Sequence, residues 1–455
     1  MSPSLLAPRA LRTLGSAALA LVTLVPSPEA PAAQPRGAPV VVAVIDDGVN
    51  PYHDDFAART TEHPSTRLPG YPRMAPALSL TLDADFGSVR RRDAATWKSI
   101  REGTLYWIPG TKISGVVRIP DTAVQRATNV NVSTAPGSEE LPVVDNNTHG
   151  TRVASVAVGA VHGACRACEL VVVDTQDFAA GLRWVAHQPW IDVVVNSWSS
   201  LGSSPAGGTV AGVPAGGDID VASREVAAAG KVVVFAAGNG ATGLGPYARA
   251  LPDRSTTLLS PATGPPWALT VGAASPVNQQ SSTWHNTPVD VVSYGQDWPA
   301  ASAVSTREEA TFFGTSCAAP IVGGTVAEAL RRLRQLYSGH KRGSALWELA
   351  RAVRRPARGP LADGRLTRVE LVQAALAAAE VVPADLGELA ADPAVVPTTP
   401  VAMTHVGHGL LRARRAAVVL AVLRGVVAGR DLTDPEARFL ETVRDTRVAL
   451  WGAEP

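Results

Sequence analysis

Cysteine is scarce in this chain of 455 residues, which contains three. Cys165 and Cys168 form a C-x-x-C pair, and no second pair exists to complete a four-thiolate zinc site within one subunit. The spacing leaves a redox-active pair open, but a small local disulfide that closes a loop is the favoured interpretation. Cys317 is then left without a disulfide partner.

Charge is also sparse, and neither sign dominates. Charged residues make up 18% of the chain and the formal net charge is +1, whereas soluble domains usually carry about 25% charged residues. No basic patch stands out, so we expect no nucleic-acid partner. The length is sufficient for one large hydrophobic core or two medium ones.

The chain lacks an apolar run long enough to span a bilayer comfortably. Two arginines precede a short apolar stretch at 14–25, and small residues at 30–32 offer a cleavage site. This pattern predicts a secretory signal peptide over 1–33, with a disordered tail or an uncleaved anchor as alternatives. Residues 416–428 are apolar but contain an arginine, which favours a packed helix. We therefore expect a secreted or extracytoplasmic protein with no stable membrane span.

Apolar strand-like runs alternate with helical patterns through the middle of the chain. The strands are predicted at 40–45, 169–174, 191–196, 231–236 and 268–273, and the helices at 149–160, 178–187, 219–229 and 316–336. Such alternation is typical of a parallel sheet with helices on both faces, joined by right-handed crossovers. The predicted fold class is α/β, a three-layer sandwich with a mostly parallel central sheet.

A serine lies on a small-residue turn in 313–320, Phe-Gly-Thr-Ser-Cys-Ala-Ala-Pro. An apolar strand precedes this turn and a long helical pattern follows it. The turn would hold the hydroxyl of Ser316 at the positive end of a helix dipole, with little bulk to obstruct an incoming carbonyl. A helix N-cap is the simpler role for such a serine, and both roles can hold together.

Three further motifs carry groups that acyl transfer needs. Asp46 ends an apolar run at the predicted carboxyl edge of the sheet, where open α/β sheets bind their ligands. His149 opens a helix and has no histidine one turn away, which favours a general base over a metal ligand. Asn239 follows a buried strand, and its amide could donate to an oxyanion or cap the next turn.

The order Asp, His, Asn, Ser matches the order of the subtilisin triad. From about residue 38 to about residue 430 the chain resembles the subtilisin-like serine proteases, or subtilases. The resemblance implies that Ser316 is the nucleophile, His149 the base and Asp46 the group that orients the base. It also implies that Asn239 and the backbone N–H of Ser316 form the oxyanion hole.

Two neighbours of these residues need separate assignments. The family motif Ile-Asp-x-Gly matches Asp46 and places Asp47 at the variable position, so we interpret Asp47 as a turn or supporting residue. Cys317 stands where the family most often has methionine. A buried and inert thiol is the expected state for it.

The resemblance also suggests which residues bind substrate. Ser197, Trp198 and Ser199 follow a predicted strand and resemble the segment that lines the cleft and pairs with the peptide backbone. The family usually has glycine where Ser199 stands. Residues 260–262 and 271–273 match the opposite wall of the cleft.

Three segments depart from a compact member of the family. Residues 51–144 form a long insertion without clear periodicity, which we expect to border the cleft and restrict substrate entry. Residues 383–402 are rich in Pro and Ala and predict a long loop, and 431–455 predict a C-terminal helical tail. Too few residues lie between 33 and the first strand for a folding propeptide, so we expect none.

The sequence therefore predicts a monomeric, secreted endopeptidase that cleaves protein or peptide substrates through an acyl-enzyme. A catalytically silent binding protein with the same fold stays open, as does a peptide ligase or macrocyclase that uses the same triad. Calcium commonly stabilises subtilases, but no ligand set could be matched, and no cofactor or metal is assigned.

Overall fold

The structure is a computed structural model that describes residues 39–58, 60–82, 91–120, 148–198, 218–239, 268–274 and 291–338. The predicted signal peptide (1–33), the Pro/Ala-rich loop (383–402) and the C-terminal tail (431–455) lie outside these ranges. Within them, no helix combines the length and the apolar character that crossing a membrane requires.

Seven strands form the central sheet. They are β1 (Val41–Asp46), β2 (Ile113–Arg118), β3 (Glu169–Asp174), β4 (Val193–Asn196), β5 (Val232–Ala236), β6 (Ala268–Ala274) and β7 (Val291–Tyr294). Their spatial order is β2-β3-β1-β4-β5-β6-β7, and every neighbouring pair is parallel. Both faces of such a sheet are covered, which explains why the central strands are almost uninterrupted runs of valine.

Helices cover both faces of the sheet. They are α1 (Ala94–Lys98), α2 (His149–Val158), α3 (Phe178–Ala186), α4 (Asp218–Ala228) and α5 (Thr315–Ser338). Alternate residues of β1 belong to different cores: Val42 and Val44 pack with α2 and α5, whereas Val41 and Ala43 pack with α3 and α4. The predicted α/β sandwich with helices on both faces is confirmed.

The two helices that matter most for the site, α2 and α5, are in direct contact. Gly324 of α5 lies so close to α2 that a Cβ there would collide with the carbonyl oxygen of Ala157. One residue earlier, a Cβ on Gly323 would come within 2.5 Å of Val195 Cγ2 in β4. Two successive glycines therefore let α5 lie flush against both the sheet and its neighbouring helix.

The described part of the predicted insertion, 51–144, forms regular structure that includes one strand of the central sheet. It contributes the edge strand β2, the helix α1 and two 3-10 turns, Asp54–Phe56 and Pro64–Thr66. A buried chain of hydrogen bonds holds it together: Trp97 Nε1 donates to the Tyr52 hydroxyl at 2.7 Å, which donates to Asp93 Oδ2 at 3.0 Å. Whether this segment borders the cleft stays a prediction.

The described residues also contain a small hairpin and a disulfide. Strands β8 (Trp298–Ala301) and β9 (Glu309–Phe312) form an antiparallel hairpin whose first strand packs on α2. Cys165 and Cys168 form a disulfide, so the prediction of a local cross-link is confirmed.

Candidate active site

Asp46 lies where the topology of the sheet opens a crevice. It is the last residue of β1, which has β3 on one side and β4 on the other. The connections that leave β1 and β3 therefore run to opposite sides, and ligands of open α/β sheets bind at this type of position. The carboxylate is buried, with 6% of the residue exposed.

His149 is the first residue of α2, and its ring meets this carboxylate. The Nδ1 atom is 2.9 Å from Asp46 Oδ1 and 3.1 Å from Oδ2. Burial alone would raise the pKa of Asp46, but the imidazole and the hydrogen bonds from His149 and Asp47 lower it below its ordinary value. Because Nδ1 is used by Asp46, Nε2 is the ring nitrogen suited to exchanging a proton with a reacting group.

Asp47 fixes the start of the helix that carries His149. Its Oδ1 atom accepts a hydrogen bond from the backbone N–H of Gly150 at 2.8 Å. A carboxylate on a first-turn N–H satisfies an orphan donor and complements the helix dipole. Gly150 must be glycine, because a Cβ there would collide with the carbonyl oxygen of Gly48.

Ser316 lies in the first turn of α5, after Gly314, whose φ of 84° belongs to the left-handed region. Its hydroxyl donates to the backbone carbonyl of Ser197 at 3.0 Å. A hydroxyl has one proton to donate, so the O–H of Ser316 must turn away from the Ser197 carbonyl before it can donate to His149. The segment before Ser316 also touches the imidazole, because the ring of Phe312 meets it edge-on with centroids 5.7 Å apart.

Asn239 is held against the serine turn through its side-chain oxygen. Oδ1 accepts hydrogen bonds from the backbone N–H and the hydroxyl of Thr315, both at 2.9 Å. A Cβ on Gly314 would lie 2.9 Å from the same oxygen, so a side chain there would displace the amide. With Oδ1 committed to Thr315, the Nδ2 group is the part of the amide left to donate elsewhere.

Ser197 and Trp198 come directly after β4. Trp198 Nε1 donates to the carbonyl of Ile45 at 3.0 Å, and the indole stacks on Phe178 with centroids 3.8 Å apart. The ring is therefore fixed over the end of β1 and the start of α3. Ser199 and residues 260–262 lie outside the described residues, whereas the other predicted part of the cleft wall, 271–273, belongs to β6.

Two other predicted properties can be compared with the structure. Cys317 is fully buried, and burial raises the pKa of its thiol, as expected of an inert group. Among the described residues, Asp46, Asp47 and His149 place one ligand atom each within 4.8 Å of one another. Calcium takes six to eight oxygen ligands, and this group includes a nitrogen, so it does not fit that ion.

Sequence reasoning did not find the roles of Thr315 and Phe312. Thr315 orients the amide of Asn239, and Phe312 packs against the imidazole of His149. Thr315 lies inside the motif that identified Ser316, which was the available signal. Nothing in the sequence around Phe312 distinguishes it from an ordinary core residue.

Comparison with known proteins places these features in context. The chain is 29% identical over 194 residues to a cuticle-degrading serine protease of Arthrobotrys oligospora, covering 40% of this chain and 41% of that protein. It is 28% identical over 224 residues to a cuticle-degrading serine protease of Orbilia oligospora, covering 43% and 47%. The chain thus spans less than half the length of these curated relatives.

A solved structure and a family model add to these relatives. A cold adapted subtilisin-like serine proteinase matches with 20% identity over 66% of this chain and 78% of its own, at a TM-score of 0.38. The model of the subtilase family, Peptidase_S8, matches residues 37–360, well over half of the chain. The chain therefore belongs to the subtilase family of serine peptidases.

Proposed function

We propose that this protein is a secreted serine endopeptidase that hydrolyses peptide bonds in protein or peptide substrates through an acyl-enzyme. The observation that carries the proposal is the contact between Asp46 and His149 at the crevice of the sheet, together with the position of Ser316 in the first turn of α5. This arrangement supplies an orienting carboxylate, an imidazole base and a hydroxyl nucleophile.

The first half of the reaction would form the acyl-enzyme. His149 Nε2 takes the proton of Ser316 as Oγ attacks the scissile carbonyl carbon, and Asp46 stabilises the resulting imidazolium. Asn239 Nδ2 and the backbone N–H of Ser316 donate to the carbonyl oxygen as it becomes negative. The imidazolium then gives its proton to the leaving amine as the peptide bond breaks.

The second half would release the acyl group. Water enters after the amine has left, and His149 takes one of its protons as the oxygen attacks the ester carbon. The bond to Ser316 Oγ breaks and His149 returns the proton to that oxygen. The products are a carboxylic acid and the regenerated serine.

Labelling with a fluorophosphonate probe tests the chemistry directly. We expect the purified protein to be labelled once, at Ser316, and Ser316→Ala to remove both the label and peptidase activity. Ser99→Ala is a matched control because Ser99 is an exposed serine that bonds only its own helix at Thr96. A wild-type protein that folds but takes no label would instead support the catalytically silent binding protein.

Product masses from an unbiased peptide library separate hydrolysis from ligation. Hydrolysis adds water across one bond, whereas a ligase or macrocyclase joins the acyl group to an amine and gives a product without added water. We expect hydrolysis products for the majority of cleaved peptides. Joined or circular products as the main species would overturn the endopeptidase proposal while leaving the acyl-enzyme intact.

Secretion is part of the proposal and rests on the pattern at 1–33. We expect protein recovered from the medium of an expressing culture to begin close to residue 33. We also expect it to elute as a monomer in size-exclusion chromatography. Retention inside the cell with residues 1–33 attached would contradict the proposed export.

A further inference from the structure

The helix that carries Ser316 has a gap in its own hydrogen bonding. Pro320 lies inside α5 and has no backbone N–H. In an α-helix that N–H would donate to the carbonyl four residues earlier, which here belongs to Ser316 itself. Because Ser316 is buried, with 9% of it exposed, its carbonyl needs a donor from outside the helix.

Ser197 supplies that donor. Its Oγ donates to the carbonyl oxygen of Ser316 at 3.0 Å. Ser197 is 4% exposed and directly follows β4, against which α5 packs. The close approach at Gly323 and Val195, about two helical turns after Ser316, keeps this part of the helix near the strand.

The two serines are joined a second time in the opposite direction. Ser316 Oγ donates to the carbonyl oxygen of Ser197, also at 3.0 Å. The pair therefore forms a closed ring of two hydrogen bonds, in which each hydroxyl donates to the backbone carbonyl of the other serine. When the Ser316 hydroxyl leaves for His149, the bond from Ser197 Oγ still holds the Ser316 backbone.

We propose that Ser197 is a positioning residue for the nucleophile: its hydroxyl replaces the helix bond that Pro320 removes and fixes the backbone of Ser316. This inference rests on the proposed function, since it assumes that Ser316 attacks the substrate. The backbone matters twice, because it sets the origin of Oγ and carries the N–H proposed as an oxyanion donor. Small displacements of such groups lower turnover strongly.

The alternative role for Ser197 is to line the substrate cleft without positioning Ser316. In that case Ser197 would act through its backbone carbonyl, and its hydroxyl would be incidental. The two roles predict different behaviour towards Pro320. A lost hydroxyl can be compensated within the helix if residue 320 regains an N–H, but a lost wall contact cannot.

A double-mutant cycle with Ser197→Ala and Pro320→Ala tests the inference. We expect Ser197→Ala to lower kcat by about ten-fold or more, with KM changed by less than about two-fold, because a buried carbonyl loses its donor. In the Pro320→Ala background the same substitution should cost no more than about three-fold in kcat, since the new N–H can pair with that carbonyl. The rate of Ser316 labelling by a small fluorophosphonate without a peptide should follow kcat.

Ser155→Ala is the matched control for a buried serine hydroxyl. Ser155 is fully buried and its Oγ donates to Asp55 Oδ2 at 2.6 Å, so its loss should lower the melting temperature. The fall in melting temperature caused by Ser155→Ala should be the same with and without Pro320→Ala. Should Ser197→Ala fail to fold, the cycle is repeated with Ser197→Cys, whose thiol is a weak donor.

The outcomes separate the inference from the proposed function. Equal losses of kcat for Ser197→Ala with and without Pro320→Ala would overturn the positioning role, as would a change confined to KM. Ser316 would still take the fluorophosphonate in that case, so the peptidase proposal would stand. A wild-type protein that takes no label would contradict the proposed function itself, and with it the assumption on which the positioning role rests.

Discussion

Asp46 holds His149 by one ring nitrogen, with both carboxylate oxygens within 3.1 Å of Nδ1. The neighbouring carboxylate of Asp47 instead holds the backbone at Gly150. Two adjacent acidic residues therefore serve one histidine in different ways. Asp46 orients the ring, and Asp47 anchors the helix from which the ring projects.

Asp46→Asn should reduce kcat by about 10⁴-fold, the loss known for the equivalent change in a Ser-His-Asp triad, because an amide favours the wrong imidazole tautomer. Asp47→Asn is the matched control. The amide oxygen of the introduced asparagine can still accept the hydrogen bond from Gly150 N, so we expect kcat to fall by no more than about ten-fold. Steady-state kinetics with one peptide substrate compares the two, and the reverse ranking would show that Asp47 is the orienting group.

Asn239→Ala should lower kcat by about 10² to 10³-fold with little change in KM, the effect measured for one oxyanion donor in subtilisin. Thr315→Val tests how the amide is held, because it removes one of the two bonds to Asn239 Oδ1 and keeps the volume. We expect it to lower kcat less than Asn239→Ala does. An unchanged kcat in Asn239→Ala would exclude the amide from the oxyanion hole.

Gly150→Ala adds one methyl group, but we expect it to impair activity strongly. A Cβ at this position collides with the Gly48 carbonyl and lies 2.9 Å from Asp47 Oδ1. The start of α2 must therefore shift, and His149 shifts with it. We expect kcat to fall by about 10²-fold, the order of loss that a misplacement near 1 Å produces. Gly159→Ala, at the other end of the helix, lowers stability through Asp55 and checks for general damage.

Lys112 should make stability depend on pH in the alkaline range. It is buried, donates to the carbonyls of Val158 and Arg166, and burial lowers its pKa from 10.5 to about 8. Between these values the unfolded chain binds more protons than the folded one, so this residue's contribution to stability rises with pH and is complete above 10.5. The full rise is on the order of 3 kcal/mol.

Urea unfolding from pH 7 to pH 10.5 measures this dependence. Lys112→Met should remove the rise, whereas Lys98→Met, at an exposed lysine, should keep it. The quantity to compare is the difference between wild type and variant, because other groups also titrate in this range. A difference that does not change with pH would mean that Lys112 stays charged throughout.

Cys317 should resist thiol reagents in the folded protein. It is fully buried, and burial raises the pKa of its thiol, so little thiolate is present to react. We expect no labelling under native conditions and one labelled cysteine in denaturant without reductant, because the other two are joined. Rapid native labelling with loss of activity would show that the thiol is reachable from the cleft.

Periodicity and composition predicted most of the sheet. The five strands predicted from apolar runs begin and end within two residues of β1, β3, β4, β5 and β6. The remaining strands were missed for local reasons. Strand β2 contains a glycine and a β-bulge, β8 contains Pro299, and β9 is largely exposed, so none of these three forms a continuous buried run. Strand β7 is mostly buried, but its four residues are too few for periodicity to separate a strand from other short apolar runs.

The site was predictable where a motif carried the chemistry. Asp46 and His149 were named from separate motifs, and the structure brings their side chains together. The ring between Ser197 and Ser316 could not be predicted, because it joins residues 119 positions apart through the packing of α5 on β4. Pro320 is visible in the sequence, but its partner is decided only in three dimensions.

The contact between Gly324 and Ala157 has a consequence for how this protein can vary. The helices that carry His149 and Ser316 lie so close there that a Cβ on Gly324 would collide with the carbonyl oxygen of Ala157. Their separation at that crossing therefore helps to set how far His149 stands from Ser316. A larger residue at position 324 would push the two helices apart and so displace His149, at the other end of α2, relative to Ser316, about two turns earlier in α5. A substitution at a buried glycine eight residues after Ser316 would thus lower turnover through helix packing alone.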